Sequence, residues 1–197
     1  MSTSDATTPP TPATCPPATS TSGSPSVTLV PITSAELPNL IERMQRSFAQ
    51  AVLEHFGTSE PIPSAEEIEK AYAAEHSDVC NIIHNGEIVG GVVLTIHEDT
   101  CRNSLDLFFI DLDQHGRGLG LAAWKAIETR YPDTRVWETV TPYFEQRNIH
   151  FYINKCGFRA VEFFNPHHRD PNHPAPADGT PEPPGMEAFF RFEKHIS

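Results

Sequence analysis

The chain has 197 residues, with 26 acidic against 14 basic side chains and a formal charge of −12. That length holds one ordinary domain with tails, and so acidic a balance excludes a protein whose main partner is a nucleic acid, which needs a basic face. No run approaches the ~20 apolar residues of a membrane span, and no basic start leads into an apolar stretch as in a secretory leader, so a soluble, cytoplasmic protein without a membrane partner is expected.

Residues 1–26 are almost all Ser, Thr, Pro and Ala. Such a segment lacks the apolar area to offset its ordering entropy, so it reads as a disordered tail before a domain spanning 27–197. Val27–Ile32 has the apolar residues of a first strand, Val27, Leu29 and Val30. Thr33 or Ser34 then has the form of a helix N-cap. Leu40, Ile41, Met44, Phe48, Val52 and Phe56 follow at helical spacing, and Gly57 ends the stripe. Ser64 to Glu67 is a capping box opening a helix that runs to Ala74. The period then changes to two. Val79–Ile83 and Glu87–Ile96 flank Asn85-Gly86, a strong hairpin signal. After a polar turn, Leu105–Ile110 completes a three-stranded antiparallel meander.

A glycine-rich turn, Gln114–Gly120, leads into a helix over Leu121–Arg130 that Tyr131-Pro132-Asp133 stops. Arg135–Val140 reads as a strand, Phe144–Lys155 as a helix and Phe158–Phe164 as a strand. Residues 166–184 form a Pro/His-rich loop, and Met186–Phe192 returns as a last strand. His167, His168, His173 and Asp170 lie among prolines with no scaffold to hold a coordination geometry, so a surface loop without metal is expected. Cys15, Cys80, Cys101 and Cys156 contain no C-x-x-C pair, and free thiols are expected rather than a zinc site or disulfides.

Glycines at 116, 118 and 120 strip side chains from a turn that meets a helix N-terminus. Bare N–H groups and the positive end of the helix dipole favour an anion there, a phosphate or pyrophosphate. A P-loop requires Gly-Lys-Ser/Thr, and Leu121-Ala122 stands instead. Gly118-Leu-Gly-Leu-Ala-Ala123 does match a dinucleotide fingerprint, with Glu138 at the distance of a ribose acid. A nucleotide-dependent oxidoreductase is therefore one reading. Against it, the motif follows a meander, and little chain remains for a doubly wound sheet.

His115-Gly-Arg-Gly118-Leu-Gly120 also resembles the coenzyme loop of the GNAT superfamily of N-acetyltransferases, Gln/Arg-x-x-Gly-x-Gly/Ala, with His115 in place of Gln/Arg. Asn148-Ile-His-Phe-Tyr152-Ile-Asn-Lys-Cys-Gly157-Phe158 resembles that family's second signature, a tyrosine followed five residues on by Gly-Phe. The family's Asn seven residues before the tyrosine is Glu145 here, while Asn148 lies one turn before it.

The resemblance implies an α/β fold. Its central sheet has six to seven mostly antiparallel strands flanked by helices, splayed between the fourth and fifth. It implies an enzyme that transfers the acetyl group of acetyl-CoA to a primary amine by direct attack on the thioester. His115, Gly116, Arg117, Gly118, Leu119, Gly120 and Asn148 are then coenzyme contacts. A backbone N–H near Phe109 or Ile110, where the fourth strand bulges, is the oxyanion donor, and Tyr152 is the acid for the leaving thiolate. The family has no set position for the base. Glu138, mid-strand among apolar residues, and Asp106 are the candidates, and a solvated sheet face is the bland account of either. Trp137, Tyr143 and Phe144 could line an acceptor pocket, though core packing accounts for each singly. The acidic surface fits a cationic small-molecule or peptide amine, and the resemblance allows a homodimer. The alternative is a non-catalytic acyl-CoA-binding module of the same fold.

Overall fold

The computed structural model describes residues 25–57, 63–171 and 187–196. Residues 1–24 of the expected tail and residues 172–184 of the Pro/His-rich loop lie outside them. Among the described residues no helix is long and apolar enough to cross a membrane.

Seven strands form one sheet in the order β1-β2-β3-β4-β5-β7-β6. They are β1 (Thr28–Pro31), β2 (Ser77–His84), β3 (Glu87–Thr95), β4 (Arg102–Ile110), β5 (Val136–Pro142), β6 (Arg159–Phe164) and β7 (Phe189–His195). Every pairing is antiparallel except β4 with β5. One face carries α1 (Leu37–Phe56) and α2 (Ala65–Ala73); the other carries α3 (Leu119–Arg130) and α4 (Gln146–Phe151). The helical stripe of α1 buries Leu40, Ile41, Met44 and Val52, with Leu40 and Met44 packed alongside Ile68, Val79, Val93 and Phe109. On the opposite face Trp124, Trp137, Phe158 and Phe192 are fully enclosed around Leu105 and Ile127. In β1 only Leu29 turns inward; Val30 is exposed.

Four local readings change. Neither Thr33 nor Ser34 caps α1: Glu36 holds the N-cap position, and its carboxylate accepts from the Thr33 N–H and hydroxyl at 2.9 and 2.8 Å. The turn closes on itself there, and Pro38 starts the helix with its φ already set. Helix α3 starts two residues earlier than predicted, at Leu119, because glycine at 118 serves as its N-cap. The predicted helix over Phe144–Lys155 begins at Gln146 and changes at Tyr152 into a π-helical turn, Tyr152–Cys156. The last strand extends to His195 because its full length pairs with β5. The capping box at Ser64 and Glu67 is present as read.

Two features open the sheet in the middle. β4 and β5 pair only over Arg102–Ser104 against Val136–Glu138. Beyond that, β5 follows β7, while β4 carries a bulge against β3: Val93 faces Leu107 and Leu94 faces Leu105, leaving Asp106 as the extra residue. A bulge bends its strand and increases the local twist, which swings the C-terminal half of β4 away from β5. The parting point is sealed by the Thr139 hydroxyl, which donates to the Leu105 carbonyl at 2.8 Å. On the other edge of β4, Gly90 lets the strands approach. A Cβ there would stand 2.3 Å from the Phe109 carbonyl oxygen.

Candidate active site

Beside the end of β4, past its pairing with β5, lies a cavity of about 710 Å³. Its walls come from both faces of the sheet: Ser47, Phe48, Ala51 and Glu54 of α1, the end of β4, the glycine turn and the start of α3, and Glu145 to Phe151 around α4. This space is lined from both helical layers and runs past the end of β4.

The glycine turn closes one end of the cavity with bare backbone. Gly116 and Gly118 have φ of 78° and 76°, a left-handed conformation that costs an L-residue about 1–2 kcal/mol. The reversal delivers the chain into the first turn of α3, whose leading amides have no intrahelical partner. Of the coenzyme-side residues marked in the sequence, Phe109, Ile110, His115, Gly116, Gly118, Leu119, Gly120 and Asn148 all line the cavity. Arg117 does not; its guanidinium donates to the Gln114 Oε1 at 3.0 Å.

Strand alternation sorts the β4 amides. The Asp111 N–H donates to the Val89 carbonyl, and Phe109 stands opposite Gly91 in the same ladder. Amides two apart share a side, so Phe109 turns its N–H to β3, while Phe108 and Ile110 turn theirs toward the gap. Of the two residues where an oxyanion donor is expected, Ile110 turns its N–H to the gap and Phe109 does not, while the Phe108 N–H also faces the gap. The bulge itself falls earlier than expected, at Asp106.

Tyr152 lies behind the cavity wall rather than in it. Its ring is 6 % exposed and packs on Phe151, Phe158 and Phe192. Burial pushes its phenol well above the ordinary tyrosine range, and hydrogen bonding with the Thr139 and Thr141 hydroxyls acts in the opposite sense. Since Thr139 also holds Leu105, the phenol sits at the apex of the gap. The π-turn delivers it there: the extra residue per turn carries the chain from Tyr152 to Phe158, whose N–H donates to the Tyr152 carbonyl at 3.0 Å.

Glu138 and Asp106 lie outside the cavity, on the sheet face beyond α1 and α2. Glu138 forms an ion pair with Arg102, which also reaches Glu193 at 3.0 Å. Asp106 accepts from the Thr95 and Ser104 hydroxyls at 2.6 and 2.5 Å. Of the aromatic candidates, Phe144 lines the cavity and stacks on His55 with centroids 4.9 Å apart. Trp137 is wholly core, and Tyr143 stands exposed against Phe163 and Phe190. His168 is engaged by Glu162 at 2.9 Å and stacks on Phe164. Among the described residues no group of three or more His, Cys, Asp or Glu is placed to hold a metal.

Cavity groups not marked as site residues in the sequence include Glu145, Arg147, His150 and Lys155 around α4, and Ser47, Phe48 and Glu54 on α1. Burial holds the Glu145 carboxyl above the usual range, with Arg147 pulling it back. The departure of residue 145 from the Asn pattern is a visible signal; the others carry none beyond helical periodicity.

The family model described as "Acetyltransferase (GNAT) family" matches residues 42–158. The chain is 46 % identical over 177 residues to the uncharacterized protein YrkN of Bacillus subtilis strain 168, covering 88 % of this chain and 96 % of that one. Among solved structures, an acetyltransferase from Thermus thermophilus superposes with a TM-score of 0.61 at 18 % identity, over 87 % of this chain and 97 % of that one. Spermidine N-acetyltransferase from Vibrio cholerae, in complex with CoA and spermine, gives 0.61 at 12 % identity, over 86 % and 95 %. With its splayed sheet and bare-amide turn, the chain belongs to the acetyltransferase (GNAT) family.

Proposed function

We propose that this protein is an N-acetyltransferase that moves the acetyl group of acetyl-CoA to a primary amine of a small, cationic acceptor. The observation that carries the reading is one continuous cavity. It joins the glycine turn and the start of α3 to the end of β4, beyond where that strand has left β5. The Vibrio cholerae relative bound to CoA and spermine supports the pairing of coenzyme with a cationic amine, and the chain's charge of −12 favours such an acceptor.

In this reading the pyrophosphate arm rests on the amides of Leu119 and Gly120. The acceptor nitrogen attacks the thioester carbonyl, whose oxygen becomes an anion beside the gap-facing N–H groups of Phe108 and Ile110. The carbon–sulfur bond breaks, and the thiolate takes its proton from the Tyr152 hydroxyl. Burial leaves the phenol protonated at neutral pH but a weaker acid than a free tyrosine, so the role rests on its position at the apex of the gap. The proton leaving the amine passes to Asp106 by way of water. No cation neutralises Asp106 among the described residues, whereas Glu138 is engaged by Arg102.

Release of free thiol from acetyl-CoA across a panel of amines tests the reaction. Asp106→Asn is expected to lower turnover roughly 10²-fold, while Glu138→Gln leaves turnover near wild type. The reverse pattern hands the base role to Glu138. One observation favours a second reading, a non-catalytic acyl-CoA binder: the Tyr152 phenol is enclosed rather than open to the cavity. Coenzyme binding with no thiol release from any amine selects it.

A further inference from the structure

The coenzyme loop carries His115 where the family pattern has Gln or Arg, and its own arginine, Arg117, is turned to Gln114. The cavity nevertheless has cations, both on the α4 segment: Arg147 and Lys155. Arg147 is held. Its Nη1 lies 2.8 Å from His115 Nδ1, and His115 Nε2 lies 2.7 Å from the Ile110 carbonyl oxygen. The partners settle the tautomer. A guanidinium only donates, so Nδ1 must accept; a carbonyl only accepts, so Nε2 must carry the hydrogen. The neutral imidazole thus links the gap-facing edge of β4 to α4 across the mouth of the cavity. Glu145 lines the same space two residues earlier; burial raises its carboxyl and Arg147 lowers it through space, without a direct ion pair among the described residues.

Building on the acetyltransferase reading, we propose that Arg147 binds the phosphate groups of coenzyme A, and that His115 is the positioning residue that aims it. An arginine spends one N–H on the imidazole and keeps the rest of its planar fork for phosphate oxygens, the geometry in which guanidinium outperforms ammonium. Fixing the fork beforehand removes part of the rotamer entropy that a free surface arginine loses on binding. Lys155 adds a second positive charge from the following turn. The His115 position, which departs from the family's Gln/Arg, therefore acts through α4 rather than by touching the ligand itself.

Calorimetric titration with coenzyme A and, separately, with pantetheine, which lacks the phosphates, tests the clamp. Arg147→Ala is expected to weaken coenzyme A binding about tenfold and to leave pantetheine binding unchanged. Arg147 is exposed, so the substitution leaves the core intact. His115→Phe is expected to give a similar loss, and the double variant to fall no further than either single one. His115→Gln, which keeps an acceptor and a donor, is expected to recover most of the affinity. If wild type binds coenzyme A and Arg147→Ala binds it equally well, the clamp is overturned while the acetyltransferase reading stands. Full additivity in the double variant overturns the positioning role of His115. A wild-type protein that binds no coenzyme A overturns both.

Discussion

Tyr152 shows how one side chain answers to two demands. Its ring fills a core site among Phe151, Phe158 and Phe192, and its hydroxyl reaches the threonines that line the parting of the strands. Removing the oxygen keeps the packing and deletes the proton. Tyr152→Phe is therefore expected to lower kcat roughly 10²-fold, with the KM for acetyl-CoA and the melting temperature close to wild type. Steady-state kinetics beside a thermal scan check this; an unchanged kcat removes the phenol from the chemistry. The resemblance to the family's second signature points to Tyr152, but periodicity says only that a side chain faces inward, not that the sheet opens at its hydroxyl.

At the scale of elements, the site depends on two departures from regularity, the bulge at Asp106 and the left-handed entry into α3. Gly118→Ala is expected to cost about 1–2 kcal/mol, because its φ of 76° strains any Cβ, and to weaken coenzyme A binding by tilting the first amides of α3. A pair of measurements, urea unfolding and coenzyme titration, separates it from a control. Ser64→Ala removes the capping box of α2, costing about 1 kcal/mol, and leaves the coenzyme affinity as it was. Equal coenzyme affinity in Gly118→Ala contradicts the anion-turn account. The glycine pattern makes the turn legible. The place of the bulge is not, since Leu105-Asp106-Leu107 carries no signal of which residue β3 leaves unpaired.

For the whole molecule, burial ties stability to alkaline pH. Mainly through desolvation, the Cys80 and Cys156 thiols are pushed up to about 12. Tyr131, beside Asp78, is likewise pushed up to about 12, and Tyr152 is also raised. The folded chain keeps these protons after the unfolded chain releases its own, near pH ~8.5 for thiols and ~10 for phenols. Their contribution is therefore full below about pH 8.5 and is lost as pH climbs through the thiol and then the phenol range. The urea midpoint is expected to be flat from neutral pH to about 8.5 and to fall steadily toward pH ~11. Cys80→Ala with Cys156→Ala is expected to flatten the first part of that fall. A midpoint that does not move over this interval contradicts the burial of these groups.

Tyr152 is marked by its resemblance to the family's second signature, while the strands, the helices and the bare-amide turn follow from local chemistry: alternation, capping, Asn-Gly, and glycines where backbone must be bare. These signals act over a few residues, so one chain suffices to read them. Three matters depended on tertiary structure. Glu138 found its cation, Arg102, on a neighbouring strand 36 residues away; Asp106 became the bulge only against β3; and Arg147 met His115 because α4 folds back over the end of β4. Each is a contact between segments distant along the chain. Such contacts arise from how the strands register and where the sheet parts, which no local pattern encodes.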